Sequence, residues 1–339
     1  MTKIMAIETS CDETACAVVE DGCRILSDVV SSQINTHTLY GGVVPEVASR
    51  LHIENISAVI QEALKQSGQT MEQIDAIAYT QGPGLIGSLH VGVQAAKTLA
   101  WEFQKKLIPI NHMTGHIYAN RFALDHDLRF PLLALVISGG HTQLVQMPEE
   151  YTFHVLGTTL DDAIGEAYDK VSRVLKTGYP GGPVIDRMAK IGHAHYALKE
   201  PHVDGEFDFS FSGLKTSVTQ LLAREEREGH AIIKEDVAYA FQETALGAMV
   251  RKTLLAVERL QPAMVVTAGG VAANSRLRFL LAEGMKKHPD IELVQPPIRY
   301  CTDNAAMIGA SAYVAYRHGF FGSFTDAADP SLPMPGELD

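Results

Sequence analysis

His112 and His116 stand four residues apart in Asn111-His112-Met113-Thr114-Gly115-His116, at the head of a segment whose Ile117, Tyr118, Phe122 and Leu124 fall at helical spacing. On a helix, residues four apart lie one above the other, so two imidazoles there can meet one metal ion. Gly115 weakens a helix, which puts the pair in its first turn. Metalloprotease helices carry His-Glu-x-x-His, with a glutamate beside the first ligand as general base. Here Met113 takes that place and cannot move a proton, so peptide hydrolysis is not the natural inference.

Two histidines leave a metal underligated. Asp303 is the candidate third ligand, since Cys301-Thr302-Asp303-Asn304 follows a strand and opens a helix. An Asp or Thr at that place also suits a helix N-cap. Two His and one carboxylate with open positions suit zinc or ferrous iron as a Lewis acid.

Glycine-rich turns after strands form a second set. Without a Cβ, their backbone N–H groups can close on a phosphate, helped by the positive end of a following helix. Three such turns occur, at 82–84, 138–140 and 268–270. Their presence in both halves of an α/β chain favours a nucleotide in a cleft between two lobes. Asn274 caps the next helix or holds a base or ribose edge.

The elements that must position these residues read as follows. Residues 3–8 and 15–20 form strands joined by the polar turn 9–14, a third strand covers 24–32, and 45–67 is helical. A strand at 74–79, the loop 82–84 and a helix over 86–103 make half of a parallel crossover, and strand 107–110 leads into the histidine pair. Strands 132–138 and 141–146 repeat the opening hairpin. Helices over 166–176, 214–228 and 235–260 and strands 263–267 and 291–294 follow, then a last helix of small residues after Asp303. The aromatic stretch 207–213 predicts a loop packed down as a bracket. These elements divide as an N-terminal lobe 1–130, a nucleotide-binding lobe 131–325 and an unstructured tail 326–339 with several prolines.

At 339 residues and 46% hydrophobic content, two cores are affordable. A net charge of −12 disfavours broad attraction to nucleic acid or membranes, so any RNA must meet a local patch or another subunit. Four cysteines without a Cys-x-x-Cys pair fit a reducing cytoplasm. No signal peptide or membrane-spanning run is expected.

Taken together, Ile7-Glu8-Thr9-Ser10-Cys11-Asp12-Glu13-Thr14, Gly41 to Glu46, Gly82-Pro83-Gly84-Leu85, His112 to His116, Ser138-Gly139-Gly140-His141-Thr142, Asp208 to Thr216, Ala268 to Asn274 and Cys301 to Asn304 resemble the bacterial TsaD family, counterpart of the catalytic subunit of the KEOPS complex. The likeness runs over about residues 3–320. It implies the actin/sugar kinase/Hsp70 fold with two duplicated RNase H-like lobes. It also implies transfer of a threonylcarbamoyl group from threonylcarbamoyl-AMP to N6 of adenosine 37 in tRNAs reading ANN codons. By that resemblance His112, His116 and Asp303 hold one Fe2+ or Zn2+. Val136, Ile137, Ser138, Gly139, Gly140, Asp169, Gly182, Asp186 and Asn274 hold the adenylate, with ATP or ADP as further nucleotides for the same place. Asp12 and Glu13 match the family's acidic hairpin turn and are assigned proton transfer. TsaB-like and TsaE-like subunits are the implied partners. The family commonly has an acidic residue where this chain has Thr114, which leaves open what supplies an outer carboxylate to the metal. Rival readings are a metallo-endopeptidase and an ATPase or phosphotransferase of the same fold.

Overall fold

A computed structural model describes residues 1–335. They form two compact units. In the first, β1 (Lys3–Glu8), β2 (Glu13–Glu20) and β3 (Arg24–Ser32) lead into a short α1 (Ile34–Thr38) and the long α2 (Pro45–Ser67). β4 (Ala76–Gly82), α3 (Ile86–Glu102), β5 (Lys106–Asn111) and α4 (His112–Tyr118) complete the stretch up to Leu128. The sheet order is β3-β2-β1-β4-β5, antiparallel from β1 to β3 and parallel from β1 through β4 to β5.

The second unit contains β6 (Leu132–Ile137), β7 (Thr142–Met147), β8 (His154–Thr158), α5 (Ile164–Leu175), α6 (Gly181–Ala189), α7 (Ser212–Glu228), α8 (Lys234–Leu260), β9 (Met264–Ala268), α9 (Ser275–Met285) and β10 (Glu292–Val294). Its sheet runs β8-β7-β6-β9-β10, with the same pattern of antiparallel and parallel pairs as the first. The two lobes therefore share one topology, as the duplicated fold requires. β8 has no counterpart in the sequence reading, because its five residues include a glycine and too few apolar positions to alternate. The stretch 207–213 does act as a bracket: Phe209 and Phe211 are buried, and Phe209 bridges to Thr159.

The chain then returns to the first unit with α10 (Ala305–His318). This corrects the expected boundary at 325, since the described residues from Pro296 onward cluster with residues 1–128, as do Glu149–Phe153. The reason is legible in the packing. Period-two alternation along β1 sends Met5 and Ile7 toward α2 and α3, and sends Ile4 and Ala6 toward α10. The α10 face is lined by small residues, Ala6, Ala15, Ala17, Ala76 and Ala78, which let the helix lie close. A Cβ on Gly309 would stand 2.6 Å from Val19 Cγ2, so the approach needs glycine there.

The expected unstructured tail is also corrected as far as Pro335. Asp329 N donates to Gln81 O at 2.9 Å, Gly84 N donates to Pro330 O at 3.2 Å, and Met334 is buried. Residues 336–339 of that tail lie outside the described residues. No helix among the described residues is long and apolar enough to cross a membrane.

Candidate functional site

The histidine pair sits where the spacing put it. Asn111 caps α4, its side-chain oxygen accepting from Met113 N at 2.8 Å and Thr114 N at 3.4 Å. Every residue of α4 is buried. Gly115 faces α10, where a Cβ would meet Ile308 Cδ1 at 2.9 Å. Glycine therefore sets how near α4 lies to the helix that follows Asp303.

Asp303 is free to act as a ligand because its neighbour does the capping. Asn304 accepts from Met307 N at 2.9 Å, and the Asp303 carboxylate turns instead to the imidazoles. Asp303 Oδ1 lies 3.4 Å from His112 Nε2 and 3.2 Å from His116 Nε2, and the two Nε2 atoms are 3.1 Å apart. Tetrahedral coordination at 2.0–2.1 Å separates neighbouring donors by roughly 3.3 Å. Two imidazole nitrogens and a carboxylate oxygen at these separations fit one divalent cation. A second group, Glu225, Glu228 and His230, is largely exposed and lies at the end of α7.

The charges around the triad are coupled. Burial opposes ionisation of Asp303, yet His112 and His116 hold its carboxyl well below the usual range. Burial would lower His112, but Asp303 and Glu8 outweigh it and raise it. His116 is lowered by burial and by the charge on His112. Asp303 and Glu8 thus favour positive charge at the point where a metal would sit.

One residue of this site escaped the sequence reading. Glu8, fully buried at the end of β1, brings Oε2 to 3.1 Å from His112 Nδ1 and accepts from Thr80 Oγ1 and Ser10 N. Alternation along β1 was the available signal, since it places Glu8 on the face of Ile4 and Ala6. Thr114, in contrast, donates to Asn111 O at 2.8 Å and pairs with Ser311 Oγ at 3.0 Å, away from the triad donors. In the acidic turn, burial, then Asp303 and Asp12, pushes Glu13 up to about 9. Ser32 Oγ donates to Glu13 Oε1 at 3.0 Å, and Asp12 is partly exposed beside it.

In the second unit, Val136 and Ile137 are buried and end β6, and Ser138 to Gly140 form an open turn. Nothing lies within 4 Å of where a Cβ on Gly139, Gly140, Gly182 or Gly270 would point. Around this opening the backbone is tightly drawn. A Cβ on Gly165 would stand 2.7 Å from Ser138 O, and one on Gly269, whose φ is +91°, only 2.3 Å from Ile137 O. Asp169 Oδ1 accepts from Gly181 N at 2.6 Å, and Ser275 Oγ donates to both oxygens of Asp186 at 3.1 Å. Asn274 caps α9 through Leu277 N at 2.9 Å, while its amide nitrogen donates to Gln242 Oε1 and Tyr168 OH. The side chain thus caps the helix. The third glycine turn differs: a Cβ on Gly82 would overlap Asp329 O and one on Gly84 would stand 2.5 Å from Ser10 O. The chain itself fills 82–84, which removes it as a phosphate loop.

Comparison with known proteins shows the family. The family model described as TsaD, tRNA N6-adenosine threonylcarbamoyltransferase, matches residues 24–310. Enzymes named tRNA N6-adenosine threonylcarbamoyltransferase from Geobacillus kaustophilus and Bacillus subtilis are 50% identical over 332 residues and 48% identical over 332 residues. Each alignment covers 98% of this chain, with 96% and 95% of the respective relative. Among solved structures, HypF of T. kodakarensis aligns with a TM-score of 0.64 at 13% identity, over 94% of this chain and 48% of that one, a likeness of fold alone. The chain belongs to the tRNA N6-adenosine threonylcarbamoyltransferase family, TsaD, and is a transferase of that family.

Proposed function

We propose that this chain transfers the threonylcarbamoyl group from threonylcarbamoyl-AMP to N6 of adenosine 37 in tRNAs reading ANN codons, releasing AMP, with a divalent cation held by His112, His116 and Asp303. The observation that carries this reading is the meeting of those three donor atoms within 3.4 Å of one another.

An adenine amine is a poor nucleophile, so the carbonyl it attacks must be made more electrophilic. Bound Fe2+ or Zn2+ would supply Lewis acidity toward that carbonyl. The open turn Ser138-Gly139-Gly140, following Val136 and Ile137, offers backbone N–H groups to the departing phosphate. Asp169 and Gly182 shape the neighbouring turn. Asp186 is assigned to the adenylate with them, and Asn274 fixes the start of α9 beside it. Asp12 and Glu13 are the acceptors for the N6 proton. Neutralising Asp303 with a cation would remove one cause of the high Glu13 pKa and favour the ionised carboxylate that can accept a proton.

Adenosine 37 lies in an anticodon loop, where a base is presented without opening a duplex. With a net charge of −12, the chain gains from partners in holding tRNA. We assign the apolar groove between α2 and α3, lined by Ile53, Ile56, Ile60, Val91 and Leu99, to a TsaB-like subunit, with a TsaE-like subunit completing a cytoplasmic assembly.

The test incubates the protein and its partners with threonylcarbamoyl-AMP and unmodified tRNA, and compares wild type with His112→Ala and Asp303→Ala. Loss of the modified nucleoside in both folded variants is expected. Full modification by either removes the cation from the mechanism.

A further inference from the structure

We infer that Glu8 is a positioning residue that fixes the ring of His112 so that Nε2, not Nδ1, is presented to the cation. The inference rests on the metal reading above and extends it to a residue that touches no substrate.

A carboxylate with no exposure, in the middle of a sheet, is costly unless donors surround it. Glu8 has three. Ser10 N donates to Oε1, and Thr80 Oγ1 and His112 Nδ1 meet Oε2, the last at 3.1 Å. They come from three elements: the turn after β1, strand β4 and helix α4. Ser10 Oγ lies 3.2 Å from the same His112 nitrogen. Nδ1 is therefore engaged on one side of the ring, and Nε2, on the other, faces Asp303 and His116. A ligating imidazole is oriented in this way when its second nitrogen donates to a carboxylate, which fixes the tautomer and raises ligand basicity.

His116 provides the contrast within the same site. Its Nδ1 is buried with no hydrogen-bond partner among the described residues, so no polar contact at that nitrogen fixes its ring. Thr114 is turned to Asn111 and Ser311, and Glu8 is the carboxylate that contacts a ligand from behind.

The experiment titrates the full-length protein with Co2+, following its visible absorption, in wild type, Glu8→Ala and Glu8→Gln, and reads the His112 tautomer by 15N NMR. Glu8→Ala is expected to weaken Co2+ binding about 10- to 100-fold, to alter the spectrum and to lose the Nδ1–H signature. Glu8→Gln, whose amide oxygen still accepts from Nδ1–H, recovers part of the affinity. A purely structural role would shift thermal stability and leave spectrum and tautomer unchanged. Wild-type affinity and spectrum in folded Glu8→Ala overturn the inference. Should that variant not fold, Glu8→Met, which keeps most of the volume and removes the acceptor, takes its place, and wild-type affinity and spectrum there do so. Failure of the wild type itself to take up Co2+ at the triad overturns the metal reading and, with it, this inference.

Discussion

The hairpin turn after β1 and the hairpin turn after β6 occupy equivalent places in sheets of identical strand order, yet they have opposite surroundings. The first is packed: Thr9 and Ser10 are buried, Ser10 approaches Gly84, and Glu8 and Ser10 support His112. The second is open, with Gly139 and Gly140 exposed and clear space where side chains would be. One topology thus supplies a packed backing for the proposed ligands in one unit and an accessible backbone loop in the other. The difference lies in side-chain size: polar groups with buried partners fill the first turn, and glycines vacate the second.

The sharpest way to break this comparison is to remove a ligand from the packed side. His116→Ala is expected to cut Co2+ affinity by more than the roughly 100-fold that outer contacts carry. AMP binding, proposed for the second unit and measured by calorimetry, should stay within about twofold, because none of the proposed phosphate-turn residues is a cation ligand. A parallel loss of AMP affinity would show that the two turns do not work separately.

The converse change fills the open turn. Gly140→Val meets no atom within 4 Å at its Cβ, so the fold should hold while AMP affinity falls about tenfold or more, roughly 1.4 kcal/mol. Co2+ binding at the triad should not move.

A pH series separates the two sides with smaller steps. A proton on His112 competes with the cation, and Asp303 and Glu8 raise the His112 pKa above its ordinary value near 6.5. Below the raised pKa the donor is occupied. Co2+ affinity is therefore expected to climb with pH, by about tenfold per unit while one proton is released, and to level off once His112 has titrated. A flat profile from pH 6 to 9 would contradict the charge arrangement described for the triad.

The smallest effect on cation binding is expected at the contact between α4 and α10. Gly115→Ala places a methyl 2.9 Å from Ile308 Cδ1, which should cost about 1–3 kcal/mol of stability in a denaturant titration. It should weaken Co2+ binding only by the small displacement of the helix that follows Asp303.

Much of the architecture was legible in the residues themselves. Short apolar runs marked β1 and β4, which bury both faces, and helical spacing marked α2 and α3. The four-residue interval announced the imidazole pair, and the motifs in order announced the family. Asp303 was legible as a candidate only, because a loop carboxylate before a helix reads equally well as a cap. The structure separates the two roles by giving the cap to Asn304. Glu8 stayed hidden because its partners, Thr80 and His112, are 72 and 104 residues away.

Local sequence determined which segments are strands and helices and which residue types could bind a cation or a phosphate, because those properties depend on neighbours within a few positions. Tertiary structure alone decided that α10 and the residues up to Pro335 pack back on the first unit, that 82–84 is filled by its own chain, and that Glu8 stands behind His112. Such outcomes depend on which distant faces fit one another. Small residues along β1, β2 and β4 admit α10 there, and no local pattern encodes that fit.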